Sequence, residues 1–481
     1  MRNRLPRCIV LLVAGTALGL AAAASAFAAT KVYIPIQGRD RTETAVAASK
    51  AAFPRLADTL VVCTGWNWPD ALGGGALAGV YGGPLLLTRP TALSSGVASE
   101  AIRLDARNVV LIGSEEAVSA DVESALRALT VNGHGLNVTR IGGKDRFETA
   151  AMVASTTVAV MRARGRTYDG TAFFTTGYNF PDALAAAPLS AKRGWPVLLV
   201  RPSEVPSATD AAITAIGVRR GIVLGSESAV GKNVADALAP RLASPPERLS
   251  GPDRYITALE IARFSAQPGN GLGWDGLAFA TGDNFPDALA GGVMQARLGS
   301  VLLLTPTAEL RQCARAELAA RRAEITAVRY LGSTSALSER TRAGVAVAWE
   351  RMLFPVAGPH DYTDTFGAPR SGGRTHKGTD IMAAMGTWCV ASLDGTVTIG
   401  DGGLGGRVVY LYTENGWEFY YAHLSNWAVR SGQHVTAGQL VGYVGNTGNA
   451  AGGPTHLHFQ IWTPDGLTVN PYPYCREMER R

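Results

Sequence analysis

The sequence predicts a multidomain protein in which three α/β repeats with parallel sheets precede an antiparallel β-rich domain. The chain has 481 residues, which is too long for one domain of ordinary size. Between about residues 31 and 342, short apolar runs alternate with longer Ala-rich segments, a pattern typical of parallel sheets covered by helices. Beyond residue 353, short β-rich runs separated by Gly, Asn and Asp predict antiparallel strands.

The first residues predict a segment that is removed from the mature protein. Basic residues within positions 1–7 precede an apolar run at 8–24 and a small-residue site at 26–28, an arrangement typical of a secretory signal peptide. We therefore expect residues 1–28 to be cleaved and the protein to be secreted, with no stable membrane anchor. The alternative is a transmembrane anchor, which the short run and the processing-like site disfavour.

Four motifs recur in the same order three times in the middle of the chain. The copies open on GRDRTETA, GKDRFETA and GPDRYITA, and continue with TGWNWPDAL, TGYNFPDAL and TGDNFPDAL. An apolar run follows in each (PLLLT, PVLLV and VLLLT), and LIGSEEAV, VLGSESAV and YLGSTSAL close the copies. The period is that of a domain rather than of a solenoid. It predicts Rossmann/flavodoxin-like repeats at residues 31–135, 136–244 and 245–342.

The aspartates of the second motif, Asp70, Asp182 and Asp287, each follow a proline and precede an Ala/Leu run. We expect them at helix N-termini, where a carboxylate is favourable. The alternative is a ligand role, because open α/β sheets bind ligands at the carboxyl ends of their strands. A nucleotide is disfavoured, since no copy has a GxGxxG or a Gly-rich Lys-Ser/Thr loop at a strand end.

Taken together, these motifs resemble the second type of cell-wall-binding repeat, found in threes on surface proteins of Gram-positive bacteria. The resemblance implies noncovalent attachment to anionic wall polymers and association of the three repeats about a pseudo-threefold axis. Arg41, Arg146 and Arg254 are candidates for polymer contact, and equally for ion pairs that support a turn. The formal net charge of +6 is a mild bias toward anionic partners and does not indicate nucleic acid.

Six of the seven histidines lie in the last 122 residues. His456 and His458 alternate on a strand-like run, so both project from one face. His423 lies in the similar run YYAHLS, and His376 precedes Asp380 in HKGTD. This cluster predicts a metal site, and imidazole with one carboxylate favours zinc with an open fourth position. Five candidates exceed the three ligands that such a site needs, and spacing alone does not assign their roles.

The order of HKGTD, YYAHLS and THLHF, with GQLVGYVGNTG before the last motif and VNPYPY after it, resembles the lysostaphin and LytM type of zinc metallopeptidase. The resemblance implies an endopeptidase that hydrolyses peptide bonds in peptidoglycan cross-bridges or stem peptides. The zinc ligands that it implies are His376, Asp380 and His458, and the two catalytic histidines are His423 and His456. The domain is expected at residues 353–481, after a linker at 343–352.

The last domain also contains polar residues outside that set. Gln460 stands where many relatives of this type carry Glu, which does not affect the implied ligands. His360 and His434 match no position of the resemblance, and we expect both on the surface or in loops. Cys389 and Cys475 share the domain and could form a disulfide if they meet.

The sequence therefore predicts a secreted, cell-wall-associated zinc metalloendopeptidase of Gram-positive type, whose partners are peptidoglycan and anionic wall polymers. One alternative is a noncatalytic wall-bound adhesin, which the repeats alone would support. Another is a regulator of other wall hydrolases. The complete histidine set argues against both. A biotinyl or lipoyl carrier is disfavoured because no lysine lies near the matching hairpin.

Overall fold

Three parallel four-stranded sheets precede an antiparallel β-rich domain, which confirms the predicted fold class. The computed structural model describes residues 31–480, so the predicted signal peptide at 1–28 lies outside the described residues. Within 31–480, none of the helices has the length and apolar character needed to cross a bilayer.

The first repeat follows the expected alternation of strands and helices. Its elements are β1 (Val32–Ile36), α1 (Arg41–Ala52), β2 (Thr59–Thr64), α2 (Gly74–Tyr81), β3 (Leu85–Thr88), α3 (Ser95–Leu104), β4 (Asn108–Ile112), α4 (Ala120–Ala128), β5 (Thr130–Val131), β6 (His134–Gly135) and β7 (Asn137–Ile141). The sheet order is β3-β2-β4-β7, and all pairs in it are parallel. Every residue of β2 is buried, because helices cover both faces of the sheet.

The other two repeats have the same plan. The second contains α5 (Arg146–Ala163), β8 (Thr171–Thr176), α6 (Pro181–Arg193), β9 (Val197–Val200), α7 (Ser207–Ile216), β10 (Arg220–Leu224), α8 (Lys232–Leu238) and β11 (Glu247–Leu249). The third contains α9 (Arg254–Ser265), β12 (Gly273–Thr281), α10 (Pro286–Leu298), β13 (Ser300–Thr305), α11 (Gln312–Ala320), β14 (Ala327–Leu331) and α12 (Glu339–Glu350). The motif that opens each copy supplies the helix N-cap, since the side chains of Asp40, Asp145 and Asp253 accept backbone N–H groups of α1, α5 and α9.

Each sheet takes its edge strand from across a repeat boundary. Strand β7 lies in the range predicted for the second repeat, yet it pairs with β4 of the first. Strand β11 likewise pairs with β10. The third sheet is completed by β1 from the start of the described chain, which pairs in parallel with β14. This strand exchange closes the three repeats into a ring.

Helices α2, α6 and α10 pack against one another where the repeats meet. The aspartates of the second motif lie in the first turns of these helical segments, at the position expected for a carboxylate near a helix N-terminus. Each aspartate also faces the opening motif of another repeat. The neighbours are Thr149 and Arg146 for Asp70, Arg254 for Asp182, and Thr44 and Arg41 for Asp287.

The last domain is built from short antiparallel strands and one helix. These are β15 (Val356–Ala357), β16 (His360–Tyr362), β17 (Pro369–Arg370), β18 (Arg374–Thr375), β19 (Thr379–Ala383), β20 (Trp388–Val390), β21 (Gly395–Gly400), β22 (Arg407–Tyr412), β23 (Glu418–Leu424), β24 (Asn426–Trp427), β25 (His434–Val435), β26 (Leu440–Tyr443), β27 (His456–Trp462), β28 (Thr468–Val469) and α13 (Pro471–Met478). The main sheet has the order β16-β19-β27-β23-β22-β21-β25, with β28 beside β27.

The segment predicted as a linker, 343–352, is occupied as far as Glu350 by helix α12. The helix is part of both regions, because Val345 belongs to the core of the repeats while Ala346 and Val347 belong to the core of the last domain. Glu350, the last residue of α12, accepts hydrogen bonds from Tyr33 of β1 and from Asn415 of the last domain. The connection is therefore a shared structural element.

A buried ion cluster strengthens this junction. Glu477 of α13 is fully buried and pairs with Arg315 of α11 and with Arg340 of α12, the latter over 3.0 Å. Arg480 joins the cluster through Glu309, at 3.0 Å. Removal of one partner from a buried pair leaves an uncompensated charge, so the last helix depends on the third repeat.

Candidate metal centre

Three side chains of the last domain converge on one point. His376 Nε2 lies 3.0 Å from Asp380 Oδ1 and 2.9 Å from His458 Nδ1. The third side of the triangle, from His458 Nδ1 to Asp380 Oδ1, measures 2.8 Å. These are the three residues that the sequence resemblance implied as metal ligands. Within residues 31–480, they form the one group of ligand-type side chains found close enough together to share an ion.

The register of the sheet produces this convergence. Strand β19 pairs with β27 so that Asp380 lies opposite His458 and Met382 lies opposite His456. His376 approaches from the turn just before β19, where Gly378 is required because a Cβ there would lie 2.8 Å from the His458 ring and 2.5 Å from a backbone carbonyl. The glycine of HKGTD is thus a packing requirement of the site.

The two remaining histidines lie beside the triangle. The ring centroids of His423 and His456 are 4.9 Å apart, and His456 Nε2 is 3.9 Å from Asp380 Oδ1. His423 Nδ1 donates to the Thr447 carbonyl at 2.8 Å, and His456 Nδ1 donates to the Pro454 carbonyl at 2.9 Å. Each backbone carbonyl fixes the tautomer in which Nε2 is the unprotonated nitrogen.

The backbone of His423 has a positive φ of 63°, which is uncommon for a residue with a side chain. Two hydrogen bonds hold it there: its N–H donates to the Gly405 carbonyl at 2.8 Å, and its own carbonyl accepts from Thr447 at 3.3 Å. Strained backbone of this kind persists where its surroundings determine it, and it clusters at functional sites.

Outer partners orient the ligand-type histidines. The Nδ1 of His376 donates to the Thr365 carbonyl at 2.9 Å, which leaves Nε2 facing the centre of the triangle. The His458 Nε2 lies 2.7 Å from the side-chain amide of Gln460. The nearest amide atom is the Gln460 nitrogen, which donates; a 180° turn of the amide exchanges its nitrogen and oxygen, and Oε1 could then accept the Nε2–H that a coordinating Nδ1 requires. The sequence predicts Gln460 outside the ligand set, but its contact with His458 was not predicted.

Burial and hydrogen bonding set the charges of the site. Burial acts to raise the pKa of Asp380, but hydrogen bonds from His376 and His458 outweigh it and hold the pKa well below its usual value. Burial lowers the pKa of His458. Burial also lowers the pKa of His423 to about 4, with a smaller contribution from the neighbouring histidines. Asp380 is therefore held as the anion and His458 as the neutral imidazole, the protonation states in which these two side chains could bind a divalent cation.

An open groove of about 600 Å³ leads to these side chains. Arg370 lies on its rim and donates to Asp380 Oδ2 at 2.7 Å, while Tyr410, Tyr420 and Trp462 line it. None of these four residues was predicted from the sequence. The tyrosines and the tryptophan could have been predicted, since they occupy alternate positions on the strands that carry His423 and His458 or on the strand beside them. Arg370 lies in an irregular Gly/Pro-rich segment that gives no such period.

Two other histidines of the domain lie outside the groove; His434 is on the surface, as expected, whereas His360 is partly buried on strand β16. His360 contacts the Gly358 carbonyl and Glu479, at 2.7 and 3.0 Å, and His434 is exposed on β25. Cys389 and Cys475 are both buried in the core of the domain as free thiols, so the structure contains no disulfide between them.

Comparison with known families agrees with this division of the chain. Cell wall binding domain 2 (CWB2) matches residues 36–123, 140–235 and 248–342, which together make up more than half of the chain. Peptidase family M23 matches residues 374–471, the stretch that holds all five site residues, four histidines and one aspartate. The chain belongs to the CWB2 family and carries an M23 domain. Its M23 domain follows three CWB2 repeats in the order that the motifs predicted.

Relatives are found for each part of this CWB2 and M23 protein. It is 29% identical over 305 residues to "N-acetylmuramoyl-L-alanine amidase LytC" of Bacillus subtilis, covering 63% of this chain and 56% of that one. It is 34% identical over 139 residues to "L-Ala--D-Glu endopeptidase" of Bacillus subtilis, covering 26% and 43%. The chain thus spans about half the length of these relatives.

Among solved structures, Cwp6 from Clostridium difficile superposes with a TM-score of 0.58 at 22% identity. The match covers 66% of this chain and 48% of that one. At this level of identity the likeness shows the fold alone.

Proposed function

We propose that this protein is a secreted, cell-wall-attached zinc endopeptidase that hydrolyses peptide bonds in peptidoglycan, with the CWB2 repeats bound to anionic wall polymers. The observation that carries the proposal is the triangle of His376, Asp380 and His458 at the base of an open groove, with His423 and His456 beside it. We propose that residues 1–28 are the signal peptide that exports the chain.

The donor set of the triangle suits zinc. Two imidazole nitrogens and one carboxylate oxygen are a common catalytic zinc set, which leaves a position for water or substrate. Each imidazole is backed by an outer hydrogen-bond partner, the Thr365 carbonyl for His376 and Gln460 for His458. Their ligand atoms lie within 4.8 Å of one another and already face a common point. Zinc bound there would lower the pKa of a water molecule toward about 7 and polarise the scissile carbonyl.

The chain's own residues would carry out the proton transfers. With Nδ1–H fixed on backbone carbonyls, His423 and His456 both present a basic Nε2 toward the centre. One of them would take a proton from the attacking water and pass it to the leaving amine. The other, after taking a proton from solvent in the open groove, would donate a hydrogen bond to the oxyanion that develops on the peptide carbonyl. Because the backbone fixes both rings, no tautomer change precedes the reaction.

The kind of substrate is supported by the relatives. Two of them, "L-Ala--D-Glu endopeptidase" of Bacillus subtilis and "DD-carboxypeptidase/endopeptidase Mpg" of Neisseria meningitidis, carry names of enzymes that act on such peptide bonds. The CWB2 repeats make up the larger part of the chain. Attachment through them would raise the concentration of the active site near its substrate.

The first test compares the protein without residues 1–28 with its His456→Ala variant. We expect the parent to bind about one zinc per chain, since one such triangle is present, and to release new peptide termini from purified Gram-positive sacculi. The variant should keep its zinc, because His456 is not in the triangle. Its release should be about 10²- to 10⁴-fold slower, the usual contribution of general acid–base catalysis.

The outcomes separate the alternatives. Mass spectrometry of the released termini identifies the bond that is cut. If the parent binds zinc and sacculi but releases nothing, the endopeptidase proposal is wrong and a wall-bound adhesin or regulator takes its place. If His456→Ala loses zinc, the division between ligands and catalytic histidines is wrong.

A further inference from the structure

The three CWB2 repeats differ at one exposed position, which lies just after strand β2, β8 or β12. The motif TGxN carries Trp66 in the first repeat, Tyr178 in the second and Asp283 in the third. These positions lie at the carboxyl ends of β2, β8 and β12, the edge at which open α/β sheets bind ligands. Trp66 is 43% exposed and Tyr178 is 56% exposed, although large aromatic side chains are usually well covered.

At least one arginine lies beside each exposed ring. In the first repeat, the guanidinium carbons of Arg41 and Arg89 lie 5.0 and 5.8 Å from the centre of the Trp66 ring. In the second, Arg146 lies 5.8 Å from the Tyr178 ring. Arg201, which occupies the position of Arg89, lies 5.3 Å from the ring of Phe147, itself in edge contact with Tyr178. We call Trp66, Arg41 and Arg89 the first platform. We call Tyr178, Arg146, Phe147 and Arg201 the second platform.

The backbone holds one arginine of each platform in place. Arg41 donates from Nη1 to the Gly65 carbonyl at 2.6 Å, directly beside Trp66. Arg146 does the same with the Gly177 carbonyl at 2.6 Å, beside Tyr178. A guanidinium group stacked near an aromatic ring is attracted to that ring. Such an arginine therefore loses little further conformational freedom when a ligand binds. By contrast, Arg89 is exposed and makes no ion pair among the residues that the structure describes.

The third repeat keeps Arg254 at the position of Arg41 and Arg146, with the same hydrogen bond to a glycine carbonyl, but it differs at the two other positions. Asp283 replaces the aromatic residue, and Pro306 stands where Arg89 and Arg201 stand in the other copies. The Asp283 carboxylate is fully engaged in its own repeat, since it accepts from Tyr255 Oη at 2.9 Å and from the Thr307 N–H at 2.8 Å. A carboxylate at this position repels an anion, so the third position does not suit the ligand of the other two.

We propose that the first and second platforms are two subsites for sugar rings of an anionic glycan, and that the third repeat has no such subsite. This rests on the proposed attachment to the wall. The apolar C–H face of a pyranose packs against an exposed aromatic ring, and an adjacent arginine binds a phosphate or carboxylate group of the same polymer. An exposed aromatic ring beside a guanidinium group offers both at once. The ring of three repeats is therefore functionally asymmetric.

The test is cosedimentation of the full mature chain with Gram-positive sacculi, in a His456→Ala background that keeps the sacculi intact. Trp66→Ala and Tyr178→Ala should each weaken binding about tenfold, as removal of an aromatic anchor does. The double variant should lose about a hundredfold, because the sites are independent. The matched control Asp283→Ala, at the equivalent position, should bind within twofold of the parent. Trp66→Phe and Tyr178→Phe should restore most of the affinity, and circular dichroism checks the fold of each variant.

Sacculi extracted with hydrofluoric acid provide the second arm. Loss of the Trp66-dependent binding after extraction assigns the sugar rings to the phosphodiester-linked wall polymer, and its retention assigns them to the glycan strands. The inference is overturned if the folded double variant binds as the parent does, or if Asp283→Ala weakens binding as much as Trp66→Ala. If the parent itself does not bind either preparation, the wall attachment fails as well, which separates the two proposals.

Discussion

Asp182 in the repeats and Asp380 in the M23 domain are both largely withdrawn from solvent, yet their carboxyl pKa values shift in opposite directions. Burial raises the pKa of Asp182 to about 6, and the attraction of Arg254 only partly opposes it. Burial acts the same way on Asp380, but hydrogen bonds from His376 and His458 outweigh it and lower the pKa. The number of donors around a carboxylate, rather than its burial, therefore decides its charge.

This difference separates a structural use of aspartate from a ligand-binding one. At the junctions of the ring, a carboxylate faces one cation of the neighbouring repeat and serves packing between repeats. At the end of the groove, a carboxylate is kept charged by two imidazoles and Arg370 and remains open to solvent on one side. The same residue type thus packs between the repeats in one region and is proposed to bind a cation in the other.

The largest expected effect comes from removal of the ligand-type carboxylate. Asp380→Ala should abolish zinc retention and muropeptide release, because two neutral imidazoles alone bind zinc weakly. Asp182→Asn, the matched change in the repeats, should leave zinc content at the parental level. Metal analysis after dialysis measures both. Equal zinc in Asp380→Ala and the parent would contradict the assignment of the triangle.

The next effect concerns the junction between the two regions. A chain that starts at residue 353 lacks α12, Arg315 and Arg340, so Glu477 keeps only Arg480 as an ion-pair partner and the face of α13 that packs on α12 is uncovered. Loss of partners from a buried charge costs up to about 3 to 5 kcal/mol, and the uncovered apolar surface adds to this cost, so this fragment should fold poorly. A control fragment that starts at residue 338 keeps α12 and Arg340.

Thermal unfolding followed by circular dichroism compares the two fragments. The fragment from 338 should melt at the higher temperature and retain more hydrolysis of a soluble muropeptide. If the fragment from 353 melts at the same temperature, α12 is a linker after all. Hydrolysis of a soluble peptide therefore tests whether the M23 domain acts without the repeats only when the fragment includes α12.

A smaller effect is expected at the outer partner of His458. Gln460→Leu removes the group that can accept the Nε2–H of His458, and loss of such an outer partner typically weakens metal binding about 10- to 100-fold. Gln460→Glu keeps an acceptor and should bind zinc as the parent does. Competition with a chromophoric chelator gives both affinities. Parental affinity in Gln460→Leu would show that His458 is oriented by the sheet alone.

The fold class could be predicted from the sequence because its signals are local. Apolar runs, helix caps such as Asp40 and the order of three motifs are properties of short segments. The exchange of β1, β7 and β11 could not be predicted, because motif period marks where a unit begins while sheet membership depends on distant partners. Helix α12 was missed for a similar reason: its two faces pack in two different cores, so no single apolar stripe marks it.

The candidate site was predictable to the extent that it follows strand period and family motif. His456 and His458 share a face by alternation alone, and the structure brings the other three predicted side chains to the same groove. The backbone carbonyls that fix the two tautomers, and the contact of Arg370 with Asp380, depend on loops whose path has no sequence period. The assigned roles of the five residues stay predictions until the variants are measured.

The smallest expected effect returns to Asp182 and its pH dependence. Its pKa is about 6 in the folded protein and 3.8 ordinarily, so the folded state holds its proton more tightly. The contribution to stability is then fully present below pH 3.8 and is lost as pH rises through 6. The shift sets an upper limit of about 3 kcal/mol, and Asp182→Asn, which cannot ionise, should gain about 1 kcal/mol at pH 7 because it also loses the attraction of Arg254. Chemical denaturation at pH 4 and pH 7 measures this, and the difference between variant and parent should shrink at the lower pH. A larger advantage for Asp182→Asn at pH 4 than at pH 7 would mean that Arg254, rather than burial, determines the charge of this carboxylate.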